Sequence, residues 1–148
     1  MVIFKEVLRP PIWVLGFIYF LFLSLVIAIW AAFDTKAAVA SLIPATIAII
    51  YIAFAMRSTI SFDGKELRID QAHIDIKYLG DITILDSSAM RLLRTRDADP
   101  AAFLAIKFWV PTGLKIEVLD PRDPTPYWLI TSKRGENLAA LLQNSKTL

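Results

Sequence analysis

The sequence predicts a membrane α-helical hairpin followed by a small antiparallel β-rich domain of about seven strands with a C-terminal helix. Three observations carry this reading. Of 148 residues, 56% are hydrophobic and the mean hydropathy is +0.55, where about 45–50% is usual for a soluble domain even with glycine counted. The excess is uneven, because residues 1–56 hold 43 of the 83 hydrophobic side chains but only 5 of the 30 charges. From Thr59 onward the solid apolar block gives way to alternation by twos, the period of half-buried strands. This split excludes a simple soluble enzyme and a disordered chain, and the absence of cysteine excludes a disulfide scaffold.

The first element is the uncharged run of 24 residues from Pro10 to Phe33, and the second is the run of 20 from Ala37 to Met56. At about 1.5 Å per residue, each is long enough to cross a hydrocarbon core of roughly 30 Å. A single such run could be a buried core helix, but two in tandem argue against that. Only Asp34, Thr35 and Lys36 separate them, which leaves room for nothing but an antiparallel hairpin. Trp13 and Trp30 fall near opposite ends of the first run, where indole rings favour the membrane interface. A cleaved signal peptide is the rival reading of the first run. Its apolar stretch is long for that role, no small-x-small site precedes Asp34, and a second span follows at once.

Orientation follows from basic residues at the span ends. Lys5 and Arg9 precede the first run and Arg57, Lys65 and Arg68 follow the second, whereas the hairpin loop carries only Lys36. The positive-inside rule then places both termini in the cytoplasm and the chain in the plasma membrane. Neither run contains Asp, Glu, Lys, Arg or His, the groups that mark ion and proton paths. Pro44 interrupts the second span's hydrogen-bond ladder, and Ser24, Ser41 and Thr46 are candidates for bonds across helices.

The domain over residues 57–148 is read next. Thr59–Phe62 and the alternating Leu67 and Ile69 flank Asp63-Gly64, a positive-φ turn, and form a hairpin. Ile74, Ile76 and Tyr78 alternate with His73, Asp75 and Lys77, and after Gly80-Asp81 the chain resumes at Ile82–Leu85, which completes a four-strand meander. Residues 86–94 fit either a short helix N-capped by Asp86 or Ser87, or a strand. Phe103–Val110 is expected to be a long strand turned by Pro111-Thr112-Gly113 into Leu114–Val118. Asp120–Pro126 carries three prolines and cannot be a central strand, whereas Tyr127–Thr131 returns to strand. Ser132 is an N-cap candidate for a closing helix with Leu138, Leu141 and Leu142 on one face and Glu136 near its positive end. By element count this is a pleckstrin-homology-like arrangement, an analogy that carries no ligand with it.

The segment Asp120-Pro121-Arg122-Asp123-Pro124-Thr125-Pro126-Tyr127-Trp128 is the least generic in the chain. With Lys107-Phe108-Trp109-Val110-Pro111-Thr112-Gly113 upstream, it resembles an actinobacterial family of two-span membrane proteins, domain of unknown function 3093. The likeness covers the whole chain. It departs where the family pattern prefers Arg-Pro over Lys107-Phe108, and a proline near the final helix where Gly135 stands. The resemblance implies an actinobacterial membrane protein and supplies no activity or catalytic residue.

Two site readings follow from the residues. In the first, the proline-rich stretch is a stiff recognition loop for a membrane or cytoplasmic protein partner, with Asp120, Arg122 and Asp123 facing it and Trp109, Tyr127 and Trp128 as anchors. The alternative is a rigid connection, in which proline removes unfolded-state entropy and aspartates start turns. In the second, Arg91, Arg94 and Arg96 contact anionic lipid headgroups, against the alternative of a solvated face. No cofactor, metal site or catalytic residue is expected. The lone His73 has no nucleophile or orienting partner in sequence pattern, no glycine-rich phosphate loop precedes a helix, and two aspartates are too few for Ca²⁺. Residues 57–148 sum to 13 basic and 12 acidic side chains, a balance that argues against nucleic acid. The expected role is therefore a non-enzymatic binding or assembly module on the lipid bilayer, with an accessory subunit of a larger membrane enzyme or transporter as the alternative.

Overall fold

The computed structural model describes residues 2–146. In chain order the elements are β1 (Phe4–Leu8), α1 (Ile12–Ala32), α2 (Thr35–Ala55), β2 (Ser58–Phe62), β3 (Glu66–Ile69) and β4 (Ala72–Asp75). A 3-10 turn at Ile76–Tyr78 leads into β5 (Leu79–Leu85), α3 (Ser87–Arg94), β6 (Phe103–Ala105), β7 (Gly113–Val118), β8 (Tyr127–Thr131) and α4 (Gly135–Lys146). The chain divides into two compact units. One is the helix pair, Arg9–Arg57; the other joins the residues up to Leu8 with those from Ser58 onward.

The helix pair is built from two 21-residue helices packed against each other, each long and apolar enough to cross a membrane. Asp34 caps α2 by accepting the Ala37 N–H at 2.7 Å, which satisfies one of the donors that a helix start leaves orphaned. Across the hairpin, Trp30 Nε1 donates to Thr35 Oγ1 at 3.2 Å. Val14 and Ala38 are buried and one side of each helix is half-buried, whereas large apolar side chains such as Phe17, Phe20, Leu25, Ile43 and Ile47 are exposed. The hydroxyls expected to bond across helices instead turn back on their own: Ser24 donates to Phe20 O, Ser41 to Ala38 O and Thr46 to Leu42 O. For a hydroxyl on a helix, the preceding turn's carbonyl is the nearest acceptor.

The other unit contains two four-stranded sheets. The first has the order β1-β2-β3-β4 with every neighbour antiparallel. Asp63 and Gly64 form its first hairpin turn as expected: Gly64 has φ +93°, and Asp63 Oδ1 accepts from Lys65 N and Glu66 N. A second tight turn uses Asp70 at φ 54°, whose carboxylate takes bonds from Ser58 Oγ and Thr59 N at 2.8 Å each and so fixes the start of β2. The second sheet has the order β5-β7-β8-β6, with β6 parallel to β8 and the other pairs antiparallel. Inner faces of both sheets share one core, with Ile60, Phe62, Leu67 and Ile69 from the first and Leu114, Ile116, Trp128 and Ile130 from the second. Leu138, Ala139 and Leu142 of α4 complete it. On the far face of the second sheet, α3 covers Leu85, Tyr127 and Leu129 with Met90 and Leu93.

Several expectations need correction. Among the described residues eight strands are present rather than about seven, because Phe4–Leu8 pairs with β2 from Phe4↔Phe62 to Leu8↔Ser58. The expected N-terminal unit of residues 1–56 therefore loses its first segment to the sheets, and the hairpin is an insertion between two paired strands. Phe103–Val110 is not a long strand hairpinned onto Leu114–Val118: only Phe103–Ala105 is strand, and it pairs parallel with β8. The antiparallel expectation thus holds for every pair but this one. Ile76–Tyr78 forms a 3-10 turn that diverts the chain from the first sheet to the second, so the expected meander ends after three strands. Of residues 86–94, Ser87–Arg94 are helical; Asp86, extended, accepts the Ala89 N–H at 2.8 Å and the Ser88 hydroxyl at 2.7 Å and so caps α3.

Candidate functional site

The proline-rich stretch is the connection from β7 to β8, and its geometry follows from its aspartates. Asp120 Oδ1 accepts the Arg122 N–H at 3.0 Å, the Asp120 carbonyl accepts Asp123 N at 3.1 Å, and Asp123 Oδ1 accepts Thr125 N at 2.9 Å. These are two successive side-chain-closed turns of the kind aspartate favours. Arg122 folds back over them, with Nε 3.2 Å from Asp120 Oδ1 and Nη2 donating to the Tyr78 hydroxyl at 3.0 Å. The hydrogen bonds from Arg122 hold the Asp120 carboxyl below its ordinary value, and Asp120 in turn raises the Arg122 guanidinium. Leu119 N donates to Tyr78 O at 2.7 Å, so the loop is pinned to the 3-10 turn by backbone as well as side chain.

A shallow groove of about 230 Å³ runs between this loop and the free edge strand β4, with Glu66, His73, Asp75, Tyr78, Arg122 and Asp123 among its lining. His73 lies on the open face, two-thirds exposed, with Nε2 3.8 Å from Glu66 Oε1. The neighbouring carboxylates are engaged with cations of their own: Glu66 with Arg68 at 2.6 Å and Asp75 with Lys77 at 3.2 Å. Among the described residues no group of three His, Asp or Glu side chains is arranged to hold a metal ion. The groove offers charge and one aromatic hydroxyl, but no nucleophile held by a base.

The aromatic anchors proposed for this loop are not on it. Tyr127 and Trp128 are 7% and 5% exposed. The cause is the strand order: β8 lies between β7 and β6, and both of its faces are covered. Trp128 points into the core between the sheets, its ring 4.6 Å from that of Phe103. Tyr127 faces the opposite way, under α3, with Lys115 Nζ 4.6 Å from its ring. Trp109 is only partly buried and lies apart from the loop in sequence, after β6; its indole packs edge-on against Phe108 at 4.9 Å. Of the six candidate partner residues, the structure places Asp120, Arg122 and Asp123 together.

The three arginines also separate. Arg91 is exposed on α3; Arg96 lies beyond it, extended into solvent, with Nε 3.9 Å from Asp97 Oδ1. Arg94 turns inward and donates from Nη2 to the Val110 carbonyl at 3.0 Å. Burial alone pushes its guanidinium down from the ordinary value, and its Nε is buried without a partner among the described residues, as is Trp109 Nε1.

One polar cluster escapes a reading of the sequence. Glu6 on β1 is 8% exposed and accepts from Ser132 Oγ at 2.5 Å and Lys133 N at 2.9 Å, while Ser132 Oγ accepts from Arg134 N at 3.1 Å. A carboxylate from the first strand thus occupies the approach to α4, where the helix dipole favours negative charge. The alternation Phe4, Glu6, Leu8 is the signal that could have revealed it, but a charge at the inward position hides the pattern.

A family model described as Protein of unknown function (DUF3093) matches residues 3–142 of this chain. No curated protein and no solved structure matches it.

Proposed function

We propose, for a chain that belongs to this family of unknown function, a membrane-anchored, non-enzymatic binding or assembly module at the inner leaflet of the plasma membrane. The observation that carries the proposal is the insertion between β1 and β2 of an apolar helix pair, charged within its helices only at Lys36, where the strand ends Leu8 and Ser58 are register partners. A soluble fold gains nothing by opening a strand pair to insert two helices that leave large apolar side chains exposed. In a bilayer the same helices satisfy their backbone groups internally, apart from their ends and the one bond that Pro44 has no N–H to make. Two spans return the chain to the side it left, so one sheet is made from segments before and after the membrane. The connections, Arg9-Pro10-Pro11 and Met56-Arg57, are short, and tethering raises local concentration so that weak contacts suffice. The pleckstrin-homology-like reading is supported by two four-stranded sheets and a C-terminal helix; the parallel β6–β8 pair departs from it.

The absence of native cysteine makes the topology testable by single-cysteine labelling of intact cells. A membrane-impermeant maleimide is expected to label Lys36→Cys and to label Lys65→Cys only after permeabilisation. Labelling of both before permeabilisation, or of Lys65→Cys alone, overturns the proposed orientation. A second reading, an accessory subunit of a larger membrane enzyme or transporter, is favoured by the open perimeter of α1 and α2, which leaves room for further helices. Crosslinking in native membranes separates the two: a stable large complex supports the subunit, and a lone chain opposes it.

A further inference from the structure

We propose that the last turn of α3 and the 107–110 segment together form a docking face for the phosphate group of an anionic phospholipid. The Arg94 bond to the Val110 carbonyl draws these segments together. Arg91 stands one helical turn before Arg94, so the two share a helix face. On the other segment are Lys107, half-buried, and Phe108, 61% exposed. Leu92 on α3 is 47% exposed. Basic side chains interleaved with exposed apolar ones are the composition of a surface that lies on a bilayer, where the cations meet headgroups and the apolar groups enter the boundary.

The feature that selects a phosphate oxygen is a pair of unmet donors. Arg94 Nε and Trp109 Nε1 are both buried and have no acceptor among the described residues. Buried donors nearly always have partners, and one left alone is destabilising. The Arg94 guanidinium is influenced by burial only, with no carboxylate to offset its charge. An anionic oxygen is the acceptor that such donors lack, and it would neutralise the cation. Each side chain is partly exposed although its donor atom is buried, so docking requires the donors to turn toward the surface. Arg96 is not included, because it extends into solvent beside Asp97. The lipid is the natural source of that phosphate under the membrane-anchor reading proposed above, on which the choice of source rests.

The test uses the full chain in neutral detergent, with the Trp109 indole N–H signal identified by Trp109→Phe and followed by NMR. Dihexanoyl phosphatidylglycerol is expected to shift this signal saturably, whereas dihexanoyl phosphatidylcholine and inorganic phosphate do not. Arg94→Gln should abolish the shift. Should that variant fail to fold, the exposed Arg91→Glu decides: it should weaken the affinity roughly fivefold or more, the effect of one cation near an anionic surface. No shift at Trp109, equal shifts from both lipids, an equal effect of free phosphate, or unchanged affinity in Arg91→Glu each overturn the proposal. Carbonate extraction of membranes tests the anchor separately. A chain that resists extraction but shows no lipid shift loses this site and keeps its anchor; one that is extracted yet shows the shift loses the anchor and keeps the site.

Discussion

Glu6 joins the first strand to the start of the last helix, and its replacement by alanine tests that joint. The carboxylate is 8% exposed and takes bonds from Ser132 Oγ and from Lys133 N. Removing it loses two hydrogen bonds to a charged group, each contributing about 1.5–3 kcal/mol, and leaves a buried hydroxyl and an N–H without that acceptor. Relaxation and water entry at the rim lower the sum, so about 3 kcal/mol is the expected loss for Glu6→Ala. For a sheet unit of this size, 1 kcal/mol moves the midpoint by about 4–8 °C, which gives a fall of roughly 12–24 °C. Glu6→Gln retains an acceptor oxygen and should lose about 1 kcal/mol. The assay is thermal unfolding of the full chain in detergent, read from near-ultraviolet dichroism, to which Trp109 and Trp128 of the sheet unit contribute. If Glu6→Ala melts within about 2 °C of the parent, or Glu6→Gln is as damaging as Glu6→Ala, the carboxylate does not hold β1 to α4 and the reasoning fails.

Other expectations follow from the same packing. A side chain at Gly113 would collide with the Ile130 carbonyl oxygen and Met90 Cε, so Gly113→Ala should cost at least about 3 kcal/mol or prevent folding, seen as aggregation of the detergent-solubilised chain on size exclusion. Trp128→Ala should lose about 3–5 kcal/mol, whereas Arg122→Ala, on an exposed ion pair, should leave the melting temperature within about 2 °C; equal effects in chemical denaturation would contradict their assigned places. Asp86 has its carboxyl lowered chiefly by the Ala89 N–H and then by Ser88, and Asp63, Asp75 and Asp120 are lowered too. A depressed folded pKa contributes stability that is present above the ordinary value near 3.8 and is lost as pH falls through the folded value. Stability should therefore fall progressively below about pH 4. Asp86→Asn, which still caps but does not titrate, should flatten part of that acid limb in denaturant titrations at stepped pH.

The aspartate-led turns were legible from the sequence because their physics is local. Asp63-Gly64 and the Asp120–Pro126 stretch close through bonds spanning two or three residues, whereas Asp86 as a helix start was one of two readings the sequence left open. The two apolar helices were legible for the same reason, since length and absence of charge are properties of a continuous segment. Strand partners were not. Nothing local to Phe103–Ala105 says that it runs parallel to β8 rather than hairpinning onto β7, and nothing local to Phe4–Leu8 says that its partner lies fifty residues on. The candidate site suffered accordingly. Tyr127 and Trp128 follow a proline loop and read as its anchors, but β8 is a central strand covered on both sides, so burial of apolar area takes them inward. The sequence by itself determined the division into an apolar helix pair and a strand-rich remainder, because hydrophobicity and period are written residue by residue. Only the tertiary structure decided which aromatic rings are core, which arginine turns inward and which carboxylate meets the last helix. Those outcomes depend on neighbours brought together across the chain, from Glu6 to Ser132.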